Sequence, residues 1–326
     1  SGTPETVLDQ ALLYIRIYFV GIPFMVAYNF GSAIVRSYGD TRRPMYYLIV
    51  SGVLNVILNL MLVIGFHMGV EGVAIATLIS NMVSAFLILS HLYNRDDEFC
   101  FRPHRMRIDK NELKRVLMIG IPAGIQGAIF SVSNVFIQSG INMFGEAAIA
   151  GSSLALNFEY FTYDIAGAFA QAAVTFTSQN FGAGNIKRCL NVVKKGLTLN
   201  FGFTCFLTVL VFLAARPFLE VFGLEPDAME LGMMRVHIII GFYFLSSIYE
   251  SLAASMRGFG NSLAPALGML VSIVGTRMLW LATVYEADPT FRNIMWCYPL
   301  SWFAADVLIG GLFVREMGKQ KRLAKI

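Results

Sequence analysis

Apolar residues run along this chain in long blocks separated by short polar turns. The blocks are too long for strands, and most are too long for helices buried in a soluble core. A helix needs about 20 apolar residues to cross the hydrocarbon core of a bilayer. On that measure the pattern predicts about nine spans, over residues 9–36, 45–66, 71–93, 115–143, 147–180, 192–214, 229–256, 263–285 and 294–314. Several exceed the minimum, so tilt or extension past the bilayer is expected. No loop is long enough to hold a separate soluble domain.

The turns alternate in sign. Arg36, Arg42 and Arg43 follow the first block, whereas the turn around His67 has no Lys or Arg. The densest basic segment, Arg95 to Arg115, comes next, then the uncharged-to-acidic turn Gly145-Glu146. Lys187, Arg188, Lys194 and Lys195 are basic, and the loop holding Glu220, Glu225, Asp227 and Glu230 is acidic. Arg257 marks the next turn, Glu286 and Asp288 the one after, and Arg315 to Lys325 close the chain. Basic loops stay on the cytoplasmic side, which predicts an outside N-terminus and a cytoplasmic C-terminus.

The first block contains an internal signature that returns later. Residues 21–44 (GIPFMVAYNFGSAIVRSYGDTRRP) reappear in degraded form 221 residues further on, up to Pro265. At that offset Tyr28 meets Tyr249, Arg36 meets Arg257, Gly39 meets Gly260, Pro44 meets Pro265 and Ser51 meets Ser272. Weak duplication inside apolar spans is a mark of secondary transporters. Three spans precede the second copy within its half, and nothing comparable precedes the first. Equivalent halves would therefore leave the first short of about 110 residues and three helices. The expectation is an all-α polytopic membrane bundle of two pseudo-repeated lobes, the N-terminal one incomplete. Residues 1–94 form that partial lobe, 95–112 a basic cytoplasmic linker and 113–326 a six-helix C-terminal lobe.

Composition narrows the class. Hydrophobic residues make up 56% and charged residues 14%, where soluble domains carry about 25% charged residues. No stretch has the layout of a cleavable signal peptide, so the first block is read as a true span. The net charge of +4 sits in a few loops and gives no nucleic-acid signal. Cys100, Cys189, Cys205 and Cys297 lack metal-type spacing and read as reduced structural thiols. There is no G-x-x-x-x-G-K-S/T phosphate loop, no H-E-x-x-H and no G-x-S-x-G. The reading is accordingly a non-enzyme with no metal site and no cofactor. Phe181 to Asn185 (FGAGN) reads as a helix-ending turn, and uphill transport would have to draw on an ion gradient.

Polar groups inside spans are costly, so each is a candidate functional residue. Gln126, Asn134, Gln138 and Asn142 recur along one gently drifting face of the fourth span. Amides of this kind also serve simply to bind helices together. The fifth span carries Asn157, Glu159, Tyr160, Tyr163 and Asp164, with Glu159/Tyr163 and Tyr160/Asp164 as i,i+4 pairs. Glu159 and Asp164 are the candidate proton or cation carriers. Glu250, next to Tyr249, is the third, and Arg277 in the eighth span is its candidate ion-pair partner. Asp306 is a further carboxylate in the last span, and Asn29, Asn55 and Asn59 are neutral oxygen donors in the first copy. Oxygen donors suit a hard cation, and interhelical bonding is the alternative.

The segments 28–45 (YNFGSAIVRSYGDTRRPM), 55–59 (NVILN), 72–77 (GVAIAT), 120–127 (GIPAGIQG), 175–184 (TFTSQNFGAG) and 256–262 (MRGFGNS) together resemble the multidrug and toxic compound extrusion (MATE) transporters. The likeness covers essentially the whole chain and is closest to the bacterial branch with the Asn157-x-Glu159 motif. The resemblance implies two six-helix lobes around a central cavity in a bacterial inner membrane. It also implies a monomer that exports drugs or other lipophilic, cationic small molecules in exchange for Na⁺ or H⁺. Asn29, Asn55, Asn59 and Thr77 fall where that family has an N-lobe cation site. Asn59 stands where an Asp is usual, which weakens that site. In the C-lobe the resemblance favours Glu159 as the coupling carboxylate, with Asp164 and Glu250 behind it. Gln126, Asn134, Asn157, Tyr163, Tyr249 and Arg277 are the candidate cavity residues. Alternatives are a lipid-linked oligosaccharide flippase of the same superfamily, disfavoured by the amide and acidic lining, and an inactive transporter fragment.

Overall fold

The structure, a computed structural model, describes residues 5–323. It is helical, with no strand among the described residues. It divides into two compact units, and the boundary between Ile108 and Asp109 falls within the basic segment.

The first unit holds α1 (Glu5–Ser37), α2 (Arg42–Gly65) and α3 (Val70–Tyr93). Both α1 and α2 pack along α3. The core between them is Tyr28, Val35, Ala85, Ile88 and Leu92. A Cβ on Gly31 would come within 3.0 Å of Ile88, so the absent side chain is what lets α1 lie against α3. Tyr28 donates its hydroxyl proton to the Pro44 carbonyl at 2.8 Å, tying α1 to the start of α2. Asp40 accepts from the amides of Arg42 and Arg43, each at 3.1 Å, and so opens α2. Beyond α3, Arg95 stacks 4.0 Å over the Tyr38 ring and pairs with Asp97. Hydrogen bonding from Arg95 holds the Asp97 carboxyl below its ordinary value, and burial pushes the Tyr38 phenol up.

The second unit holds α4 (Lys110–Asn142), α5 (Glu146–Gly182), α6 (Ile186–Val221), α7 (Pro226–Gly241), α8 (Tyr243–Gly258), α9 (Leu263–Tyr285) and α10 (Phe291–Leu323). Asp109 caps α4 by accepting from the amides of Asn111 and Glu112 at 2.7 and 3.1 Å. The turn at Gly184, with φ +71°, ends α5, and Asn185 caps α6 through the Arg188 amide at 3.0 Å. Residues 181–185 are thus a helix-ending turn, as expected. Helix α5 packs on α6, α7 and α8, while α10 packs on α7, α8 and α9, and α4 lies against α9. Helices α5 and α7 meet at Gly151 and Gly232, where a Cβ on Gly151 would collide with the Ala228 carbonyl oxygen. Small residues at such crossings are what membrane helices use for close approach.

The duplication is written into the backbone of each unit. Gly39 and Gly260 both take left-handed values, φ +97° and +82°. π-helical turns recur at Leu60–Gly65 and Leu281–Tyr285, in the same 221-residue register. Ser51 and Ser272 are both buried.

Each of the nine apolar blocks falls in a helical region, with two differences. The block 229–256 is not one helix: α7 and α8 meet at Phe242 with a bend of 41°. No proline causes it; Gly241 ends α7, and the amide of Leu245 bonds the Phe242 carbonyl in the tighter i,i+3 manner. By length and apolarity seven helices among the described residues pass as spans, or eight counting the bent pair, where the sequence pattern predicts about nine. The block not among them is α5, whose Asn157, Glu159 and Asp164 lower its hydropathy. Large apolar side chains such as Phe19 and Ile64 point outward, as lipid contact requires.

Candidate functional site

The polar residues of the second unit assemble around α5, in two layers. On its inner side Glu159 meets Arg235 of α7. Arg235 Nε and Nη2 donate to the two carboxylate oxygens at 2.5 and 3.0 Å. The arginine side chain is 2% exposed and the glutamate 12%. This fork-to-carboxylate geometry is the strongest pairing two side chains offer. Behind it, the Tyr298 ring lies 5.8 Å from the Arg235 guanidinium and 4.6 Å from that of Arg277. Arg277, also buried, donates to Asn134 Oδ1 at 3.0 Å and Ser301 Oγ at 3.2 Å. An ion pair and a second cation thus sit near one aromatic ring, linking α5, α7, α10, α9 and α4.

The outer side of α5 is different. Ser153, Asn157, Tyr160, Asp164, Gln171 and Ser178 are all exposed and follow helical spacing. Tyr160 is 62% exposed and Tyr163 56%. Asn157 uses its amide on the carbonyl of Leu154 at 3.1 Å, within its own helix. Asp164 makes no hydrogen bond or ion pair among the described residues. A polar stripe of this length facing hydrocarbon would be costly, so this face suits water or ligand.

The remaining expected residues are dispersed. Glu250 pairs with Arg257 of its own helix at 3.7 Å, not with Arg277. The two are seven positions apart on α8 and share a face, whereas Arg277 is satisfied by Asn134 and Ser301. Tyr249 is buried in the core of the unit. Gln126 points its amide at Met269 Sδ, 2.6 Å away. Asp306 on α10 has no ion-pair partner among the described residues, and its Oδ1 is buried without a hydrogen bond to them. In the first unit Asn59 Nδ2 donates to Asn55 Oδ1 and to the Asn55 carbonyl, both at 3.0 Å. Its own Oδ1 is buried and unpartnered. Thr77 spends its hydroxyl on the Val73 carbonyl at 3.0 Å, and Asn29 is exposed. Among the described residues no hydrogen bond joins Asn29 or Thr77 to the Asn55–Asn59 pair.

Arg235 was the residue missed from the sequence. The signal was present, because an arginine inside an apolar block demands a partner. Its partner lies 76 residues away, beyond the reach of helical spacing.

Comparison with known proteins agrees with this architecture. A family model described as MatE matches residues 1–61 and 122–281, most of the chain. The probable multidrug resistance protein YoeA of Bacillus subtilis is 28% identical over 333 residues, covering 100% of this chain and 72% of that protein. The probable multidrug resistance protein NorM of Thermotoga maritima is 29% identical over 282 residues, covering 85% of this chain and 60% of that one. This chain is thus shorter than the relatives it matches. A solved outward-facing multidrug resistance MATE family transporter of the MOP superfamily superposes with a TM-score of 0.88 at 18% identity, covering 98% of this chain and 72% of that one. From the extent of the family match, the chain belongs to the MatE family of membrane transporters.

Proposed function

We propose that the chain works as a cation-coupled antiporter, exporting drugs or other lipophilic cations by alternating access in exchange for Na⁺ or H⁺. The observation that carries this is the exposed polar stripe of α5, with an unpaired Asp164 in it and the buried Glu159–Arg235 pair behind. Asp164 offers a fixed negative charge to a cation arriving along the stripe. Glu159 differs, because Arg235 already satisfies it. To take up a proton or a cation it must first let the guanidinium go, so its occupancy is tied to the packing of α5 on α7. That link between a charge and a helix contact is what a two-state transporter needs. Loading the carboxylates would favour one arrangement of the helices, and a bound lipophilic cation the other. The alternation of basic and acidic turns supports a cytoplasmic C-terminus.

The test is efflux of a fluorescent lipophilic cation from vesicles holding the protein, under separately imposed Na⁺ and pH gradients. Gradient-driven efflux that is lost in Asp164→Asn and in Glu159→Gln supports the reading and names the ion. Efflux at the wild-type rate in both variants removes these carboxylates from the mechanism.

A further inference from the structure

A second site lies in the second unit, away from the exposed face of α5. The start of α4, the turn from α8 to α9 and the end of α10 line an open cavity of about 890 Å³. Its lining includes Lys110, Lys114 and Lys319. Lys110 and Lys114 are one helical turn apart on α4. Among the described residues none of the three has an ion-pair or hydrogen-bond partner, so three unpaired ammonium groups line one site.

The same lining holds Glu316, on α10 one turn before Lys319 and 8% exposed. Its oxygens accept from Asn261 Nδ2 at 3.0 Å and Gln320 Nε2 at 2.7 Å, both neutral amides. A buried carboxylate with no cation against it and with lone pairs to spare is an acceptor waiting for a donor. Below the lysines the lining turns apolar, and a narrow groove between α4 and α9 continues it. That groove has a volume of about 130 Å³ and shares Ile121, Pro122 and Leu263 with the larger cavity, then runs on past Ile125, Leu267 and Leu270. From Lys114 to Ile125 the helix rises about 16 Å, so the polar lining leads into an apolar channel along a membrane helix.

We propose that this site binds a glycerophospholipid. The phosphodiester meets the three lysines, a hydrogen-bond donor of the head group reaches Glu316, and an acyl chain lies in the α4–α9 groove. The charge pattern selects this occupant. A cationic amphiphile would be repelled by three unpaired lysines, and a plain fatty acid would bring a second carboxylate to Glu316. Basic pockets between membrane helices are a recurrent means of holding lipid phosphate. The head group is therefore glycerol or ethanolamine, which donate, and not choline, which does not.

The experiment is native mass spectrometry of the full chain in mild detergent, titrated with phosphatidylglycerol, phosphatidylethanolamine and phosphatidylcholine of equal chain length. The first two should bind and phosphatidylcholine should bind at least tenfold more weakly. Changing Lys110, Lys114 and Lys319 together to Gln should weaken phosphatidylglycerol by on the order of tenfold or more. Leu267→Trp, which fills the groove, should weaken long-chain lipid while sparing a dihexanoyl form. A phosphatidylglycerol carrying a diazirine in its acyl chain should label the stretch 121–125 or 263–270, which also reports on the site without any variant. Equal binding of all three head groups, unchanged affinity in the triple variant, or labelling confined to other helices would each overturn the assignment.

Discussion

Replacing Glu159 by Gln strands a charge. The Arg235 side chain is 2% exposed and its partner 12%, so a change of rotamer brings neither to water. Two charge-assisted hydrogen bonds, at 2.5 and 3.0 Å, are at stake. Bonds to charged groups contribute about 1.5–3 kcal/mol each, and removing one partner of a buried pair costs about 3–5 kcal/mol. Arg235→Met leaves a bare carboxylate and belongs in that range. Glu159→Gln keeps the shape and one acceptor oxygen, so its cost falls lower, at about 2–3 kcal/mol. The double variant Glu159→Leu, Arg235→Met removes both charges and should lie within about 1 kcal/mol of wild type, or above it. The coupling energy of the cycle Glu159→Leu with Arg235→Met is then at least about 5 kcal/mol. Unfolding in mixed micelles with increasing dodecyl sulfate measures it, followed by tryptophan fluorescence. Trp280, Trp296 and Trp302 all lie in the second unit, so the signal reports on the right part of the chain. Single costs that simply add in the double variant would show that the pair is not closed in the membrane, and would refute the reasoning.

Three further outcomes follow from particular contacts. Gly151→Ala, whose Cβ would collide with the Ala228 carbonyl, should destabilise the second unit by about 2 kcal/mol or more. Gly167→Ala on the same helix has open space and should be neutral or slightly stabilising; equal effects in the same unfolding assay would show that α5 and α7 do not cross at Gly151. Asp164→Asn should abolish or slow gradient-driven efflux of a lipophilic cation while leaving the unfolding midpoint unchanged, because the side chain makes no bond to lose; a shifted midpoint with intact efflux would reverse that assignment. The Asp97 carboxyl is held low by Arg95 and also accepts from the Phe99 amide at 3.1 Å. A depressed carboxyl contributes order above its unfolded value and loses it as pH falls through the folded one. Exchange of the Phe99 amide, corrected for its intrinsic rate, should therefore accelerate only below about pH 4, and loss of protection nearer neutrality would show that the Asp97 contact is not formed.

The sequence by itself determined the class and the local grammar. Long apolar blocks require helices, because a backbone in hydrocarbon must satisfy its own hydrogen bonds. The repeat was legible down to Gly39 and Gly260, since a left-handed turn needs a residue without a side chain. The turn at residues 181–185 was legible for the same reason. Glu159 and Asp164 stood out because charge in a span is rare. What the tertiary structure alone decided is which face of each helix meets which neighbour. In a soluble protein the apolar face gives that away, but here lipid-facing and core-facing positions are equally apolar, and periodicity says little. Rotation of α5 is set instead by the contact of Gly151 with Gly232, which aims Glu159 at Arg235 and leaves Asp164 outward. The bend at Phe242 and the burial of Arg277 against Tyr298 are likewise products of packing between segments far apart in the chain. Distance along the sequence hides such partners, and only the assembled helices bring them together.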